Sequence, residues 1–409
     1  MRKITVSATF GFLFALLITL PVGLAVAQTT PVAPNPPFEL KNGDRVVFLG
    51  NSLFEDDMQF GYLELALTTR FPDRDVTFRN LGWTGDNVFG VARSTITNPP
   101  TGYDLLMEHL TKAKPTLVFL GFGGIEAQDG EAGLPVFRDG LAKLIDKIDQ
   151  LGAKTILLSP IPILSADTPE NRAKRNAMLE VYASAMAKMA SERSKPFINL
   201  FKPIQEVSQK TAITEDGIHL NETGYYYLAT LLEKSLGLPA RTGNIAIAVS
   251  KQGAEAATPV KILNPDQESA NLKFTLDERS LPLPLPETVE AVRVIKITGL
   301  KKGFYTLTND KTDVITASAK DWAAGVPIRQ GAVFEQASRL REMILKKNDL
   351  FYFQYRPLNT TYILGFRSYE QGRHVKGLEE QNILIKWLES QIALNRTPKA
   401  SVYQLTPLK

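Results

Sequence analysis

A chain of 409 residues exceeds what one hydrophobic core usually serves, so more than one domain is expected. Hydrophobic residues at 44% and charged residues at 22% are values of folded water-soluble chains, which argues against disorder and against a polytopic membrane protein. The absence of cysteine excludes disulfides, thiol nucleophiles and thiolate metal sites, and a formal charge of +4 is too small for a nucleic-acid footprint.

In chain order, Arg2 and Lys3 precede an apolar run from Phe10 to Leu20, and Ala25-Val26-Ala27 supplies a small-x-small cleavage pattern. Residues 1–27 therefore read as a secretory signal peptide, with Pro21-Val22-Gly23 interrupting the run that a retained anchor would need. Loss of the two cations leaves +2, too little to hold the mature chain on an anionic membrane. The expected location is periplasmic or secreted. Residues 28–40 follow as a Pro-rich tether.

From 41 to 236, short β runs alternate with amphipathic helices, the pattern of a parallel sheet covered on both faces. Five strands are expected: Arg45–Leu49, Val76–Asn80, Thr116–Leu120, Thr155–Leu158 and Phe197–Leu200. After the third, Leu134, Phe137, Leu141, Leu144, Ile145 and Ile148 share one helical face, and Gly152 supplies a left-handed stop. Thr168 with Pro169 marks the start of a further helix whose Leu179, Tyr182, Met186 and Met189 form a core stripe.

Beyond Leu236 the texture changes. Residues 237–316 read as a small β module with strands at Asn244–Val249, Leu272–Leu276, Val292–Ile297 and Phe304–Thr308. Ser280–Pro286 alternates proline and cannot sit in a central strand, so an exposed extended connection is expected. Residues 317–409 read as a mixed helical segment, with helices at Val333–Lys347 and Leu378–Leu394 and an aromatic stretch at Leu350–Tyr355.

In an open parallel sheet, ligands bind beyond the carboxyl ends of the strands. Here the first three strands are followed by Gly50-Asn51-Ser52, Gly82-Trp83-Thr84-Gly85-Asp86 and Gly121-Phe122-Gly123-Gly124-Ile125-Glu126, three glycine-rich ends converging on one rim. A serine hydroxyl becomes a useful nucleophile when a base takes its proton, and imidazole does so best when a carboxylate fixes its tautomer. Ser52, His219 and Asp216 supply those parts, the last two just before a helix start at Asn221-Glu222-Thr223-Gly224. Backbone N–H groups of Ser52 and Gly85 are candidates to stabilise an oxyanion. Asn51, Trp83, Glu126, Arg356 and Asn359 are candidate substrate contacts, Arg356 because it lies among aromatics.

Over residues 41–236 this ordered set resembles the SGNH (GDSL-type) hydrolases. Gly50-Asn51-Ser52-Leu53 is similar to the nucleophile block, Thr84-Gly85-Asp86 to the block whose glycine gives an oxyanion N–H, and Asp216-x-x-His219 to the block carrying acid and base. The resemblance implies a flavodoxin-like three-layer α/β/α sandwich with a five-stranded parallel sheet, and ester hydrolysis without metal or cofactor. With the leader, it implies an exported bacterial esterase acting on a small-molecule or glycan ester, an acetyl group on carbohydrate first among them. The run 348–371 resembles a segment that follows the hydrolase domain in one group of bacterial members.

Two positions depart from the family pattern. Asn51 stands where aspartate is usual, and Gly123-Gly124-Ile125-Glu126 replaces Gly-x-Asn-Asp or Gly-x-Asn-Glu, so isoleucine occupies the place of an oxyanion asparagine. Loss of one such donor costs about 3 kcal/mol, on the order of 10²–10³ in rate. Asn51, Asn87, Gln128 and the C-terminal segment are candidate sources of a replacement donor. The alternative reading is a binding or scaffold module at the cell surface that keeps the fold without the catalysis. A third, in which Glu126 and Asp129 act as paired carboxylates of a glycosidase, competes with the ordinary enrichment of acids at a helix entry.

Overall fold

The computed structural model describes Met1 and residues 38–93, 100–165, 167–241, 243–264, 271–290, 293–356 and 374–408. Residues 2–27 of the predicted leader, residues 28–37 of the tether and Asn359 lie outside the described residues. Among those described, β1 (Asp44–Gly50), β2 (Val76–Asn80), β3 (Leu117–Gly121), β4 (Lys154–Leu158) and β5 (Phe197–Ile198) form a parallel sheet in the order β2-β1-β3-β4-β5. This is the flavodoxin-like order, as expected. The fifth strand stops at Ile198, short of Leu200, because the Asn199 side chain accepts from Phe201 N (3.0 Å) and turns the chain into a helix.

The connecting helices are α1 (Ser52–Glu55), α2 (Asp57–Phe60), α3 (Tyr62–Arg70), α4 (Gly102–Ala113), α5 (Gly130–Gln150), α6 (Pro169–Glu192), α7 (Phe201–Ser208) and α8 (Glu222–Ser235). Strand β1 shows how the layers arise. Val46 and Phe48 face a core built with Leu63 and Leu67 of α3 and Leu228 and Leu232 of α8, whereas Val47 and Leu49 face Leu110 of α4, Leu144 of α5 and Met186 of α6. Both faces are covered, which is why the strand reads as an unbroken apolar run. Gly152 takes φ +74° after α5, and Thr168 Oγ1 caps α6 through Asn171 N (3.3 Å).

The C-terminal half is built from β6 (Ile245–Ser250), β7 (Gly253–Ala256), β8 (Val260–Ile262), β9 (Leu272–Leu276), β10 (Arg293–Thr298), β11 (Phe304–Asn309), β12 (Thr312–Ser318), α9 (Ala319–Ala324), β13 (Val326–Ile328), α10 (Ala332–Tyr355), α11 (His374–Asn395) and β14 (Val402–Pro407). The strands form two sheets, β13-β10-β6-β7 and β12-β11-β14-β9-β8. A boundary at 316/317 runs through β12, and β14 hydrogen-bonds between β11 and β9, so residues 237–316 and 317–409 are interwoven. The Ser280–Pro286 connection is extended without a ladder, but it is not exposed throughout: Leu281 and Leu283 are 0% and 4% accessible. Its alternation directs leucines into the core, and the prolines need no donors there.

Helix α10 continues past Lys347 through the aromatic stretch and joins the two halves. Lys347 Nζ sits 2.7 Å from both carboxylate oxygens of Glu64 in α3, with both side chains almost fully buried. One and a half turns earlier, Arg341 pairs with Glu222 (2.6 Å) and covers the Tyr62 ring. Burial pushes the Glu64 carboxyl up and the Lys347 amine down even with the partner in contact, so desolvation outweighs their attraction. Glu64→Gln should therefore destabilise the protein by about 3 kcal/mol or more, by stranding a buried ammonium, while the double change Glu64→Leu/Lys347→Met should recover most of that loss in urea unfolding. Equal losses in the single and double variants would refute this account.

Candidate active site

The rim is assembled by glycines that leave no room for a side chain. A Cβ on Gly50 would lie 2.2 Å from Gly121 O, and one on Gly82 would lie 2.2 Å from Glu55 N. The ends of β1 and β3 thus meet backbone to backbone, and the turn after β2 closes onto α1. Asn51 caps α1, its Oδ1 accepting from Leu53 N (3.2 Å), and Ser52 is the first residue of that helix. The other end of the Asn51 amide, Nδ2, lies 3.4 Å from where a Gly124 Cβ would stand, beside the loop that carries Ile125.

Asp216 and His219 occupy the loop before α8. Asp216 Oδ1 accepts from Ile218 N (2.8 Å), His219 N (2.7 Å) and Thr214 Oγ1 (3.1 Å), and Oδ2 lies 2.6 Å from His219 Nδ1. The imidazole bond, followed by the backbone donors, holds the Asp216 carboxyl well below the usual carboxylate range. A carboxylate on Nδ1 fixes the tautomer and leaves Nε2 to accept a proton. His219 and Ser52 line one cavity of about 120 Å³. Among the described residues no hydrogen bond joins the Ser52 hydroxyl to the ring, so proton transfer requires the two to close the remaining gap across that cavity.

The rest of the wall is apolar at Ile125, Ile161, Ile163 and Leu179, and polar at Asp56, Gln128, Ser159 and Arg175. Ser159 to Ile163 follow β4, so the rule applied to the first three strand ends, extended to the fourth, finds them. Asp56 lacks such a signal; it reaches the cavity because α1 turns its C-terminus toward His219. Tyr225 of α8 donates from its hydroxyl to Leu53 O (2.9 Å) and braces the Ser52 turn.

Other candidates are engaged elsewhere. Gly85, at φ +78°, lies in an exposed turn and is not on the cavity wall. Trp83 lies beneath the Arg356 guanidinium (3.8 Å to the ring centroid) with Arg93 also against it (4.9 Å). Arg356 also pairs with Glu55 (2.9 Å), whose second oxygen accepts from Thr84 N. Glu126 is buried and accepts from Val88 N (3.0 Å) and Gly123 N (2.8 Å), so its carboxylate ties two strand-end loops together. Asn87 turns its Oδ1 to Phe89 N and Val91 N, away from the cavity. His109 accepts from Arg93 (3.0 Å), and burial, then that cation, lower its pKa to about 4.

A strand-end serine and an aspartate-held histidine therefore line one cavity of a 2-1-3-4-5 sandwich. Residues 48–227 match the model of the GDSL-like Lipase/Acylhydrolase family, which spans the sandwich. Among solved structures, the chain is similar to BT4096, a gut microbial diltiazem-metabolizing enzyme, at 19% identity and a TM-score of 0.69, over 90% of this chain and 99% of that one. It is also similar to Axe2, an acetylxylan esterase from Geobacillus stearothermophilus (16% identity, TM-score 0.40, 49% of this chain and 98% of that one). A third is LAE5, an alpha/beta hydrolase enzyme from the metagenome of Lake Arreo, Spain (19%, 0.38, 49% and 99%). The first shows a shared fold extending through the C-terminal half. A search of curated proteins by sequence returned no match.

Burial pushes the Asp56 carboxyl up from 3.8 to about 6, against the pull of His219. Between those values the folded protein keeps a proton that the unfolded chain releases, so stability falls as pH rises through the window. Asp56→Asn should consequently stabilise the fold by about 1–2 kcal/mol at pH 7.5, with the gain shrinking toward zero by pH 4. Urea midpoints at the two pH values decide it; an equal gain at both would trace the effect to shape rather than charge.

Proposed function

We propose that the protein is an exported serine esterase that removes short acyl groups, acetyl first among them, from hydroxyls of carbohydrate. The observation that carries the reading is the Asp216-His219 bond of 2.6 Å beside a cavity that Ser52 also lines. Ser52 Oγ attacks the ester carbonyl carbon while His219 Nε2 takes its proton, and Asp216 stabilises the imidazolium. Collapse of the tetrahedral species expels the alcohol, which receives that proton; water, activated by the same ring, then releases the acid and restores Ser52. A cavity of about 120 Å³ with Ile125 and Leu179 on its wall suits an acyl group of two or three carbons better than a lipid chain.

The oxyanion is assigned to the Ser52 N–H and the Asn51 amide. With Oδ1 committed to Leu53 N, Asn51 turns its donor end toward the Gly124-Ile125 loop, where the family asparagine is missing. An aspartate at 51 could cap the same turn but could not donate, so the two departures from the family pattern offset one another. p-Nitrophenyl acetate hydrolysis tests both assignments: Ser52→Ala should lose about 10³-fold or more in kcat, and Asn51→Asp about 10²–10³-fold with little change in KM. Wild-type rates in Ser52→Ala would sink the nucleophile, and in Asn51→Asp the donor.

Ile125 on the cavity wall favours one other reading, a binding module on the same fold. A null esterase assay together with no fluorophosphonate labelling of Ser52 would select it. Export rests on the leader pattern of residues 1–27. The expected mature N-terminus in an exporting bacterial host is Gln28, read by Edman degradation of protein from the periplasm or medium; an intact Met1 would count against export.

A further inference from the structure

A second cavity, about 420 Å³, lies where α3 and α8 of the sandwich meet the Ser280–Pro286 connection, β10 and α10. It shares no lining residue with the Ser52 cavity. Three guanidinium groups line it, from Arg70, Arg241 and Arg293, and their direct carboxylate partners are Glu233 and Glu278. Arg241 is fully committed, donating to Thr69 Oγ1 (2.9 Å), Ala66 O (3.2 Å), Leu281 O and Glu233. The other two are not. Arg70 reaches Glu233 (2.8 Å) and Arg293 reaches Glu278 (2.7 Å), but the Nε of each is buried without a hydrogen-bond partner, with the side chains 9% and 4% accessible; beside Arg293 the second Glu278 oxygen is also unpaired, so Arg70 presents the clearer unmet donor.

A buried N–H on a cation is costly when left unpaired, and native structures almost always supply an acceptor, from protein, water or ligand. Three cations against two carboxylates also leave one positive charge in excess, and Lys234 adds another on the lining. The remaining wall is apolar and aromatic, from Tyr226, Leu283 and Phe334, each under 10% accessible. An apolar space of this size with a few convergent polar groups is the usual form of a small-molecule site. We propose that this cavity binds an organic monocarboxylate with an apolar body, its head on the arginine N–H groups and its body against Tyr226, Leu283 and Phe334. The site is independent of the esterase reading, since it uses none of that machinery.

Octanoate titrated into the full chain, followed by calorimetry, tests the inference, with octan-1-ol and inorganic phosphate as the arms that separate body from head. Saturable one-to-one octanoate binding is expected, with octan-1-ol at least about tenfold weaker and phosphate alone failing to bind. Leu283→Trp, which fills the space, should abolish binding while leaving p-nitrophenyl acetate turnover as in wild type; Arg70→Gln should weaken it by about tenfold. No saturable octanoate binding, equal binding of the alcohol, phosphate binding without octanoate, or binding that survives both substitutions would overturn the proposal. The three wild-type arms decide it even where a variant folds poorly.

Discussion

The backbone contact between the ends of β1 and β3 is the constraint on which the site depends. Gly50 and Gly121 approach so closely that any side chain at Gly50 would overlap the facing carbonyl, and Gly82 is pressed equally hard against Glu55 N. A methyl group at these positions would push the Ser52 turn off the sheet and away from the histidine loop. The chain accepts the entropic cost of glycine here because nothing larger allows three loops to share one rim. Glu126 then locks the assembly from below by accepting from two of those loops at once.

The C-terminal half is part of the same arrangement. Arg356, at the end of α10, grips Glu55 of α1 and covers Trp83, while Tyr355 donates from its hydroxyl to Gly82 O (2.9 Å). Glu55 in turn receives Thr84 N, so one carboxylate couples α10 to both the first and second strand-end loops. The buried Glu64-Lys347 pair fixes the register of α10 on α3 two turns earlier. Such a pair adds little net stability, yet only one alignment of the helices satisfies it, which is how a costly interaction can specify a unique packing.

Much of the sandwich was legible in the sequence because its strands are covered on both faces and its helices carry a single apolar stripe. Val46–Leu49 reads as a strand for the same reason that it divides its side chains between two cores. The later strands β7, β8 and β13 are three or four residues long, and β14 alternates weakly around polar Gln404, so periodicity passed over them. At the site, Ser52 stood out by its position after a strand, and Asp216 and His219 by their three-residue spacing just before a helix start. The roles of Trp83, Glu126 and Arg356 could not be read that way, because residue type does not disclose whether a charge or ring faces a cavity or a neighbouring loop. Asp56 was hidden for the opposite reason, an acid in a run of acids whose helix turn alone aims it inward.

The position of β14 bears on how the molecule is made. Its hydrogen bonds lie between β9 and β11, so that sheet stays split, with two open interior edges, until residues 402–407 join it. The parallel sheet has no such dependence, because its five strands all lie before residue 199. Completion of the β-rich half is tied to its final segment, and until that segment slides into the gap the facing edges of β9 and β11 stay open to strands of other chains.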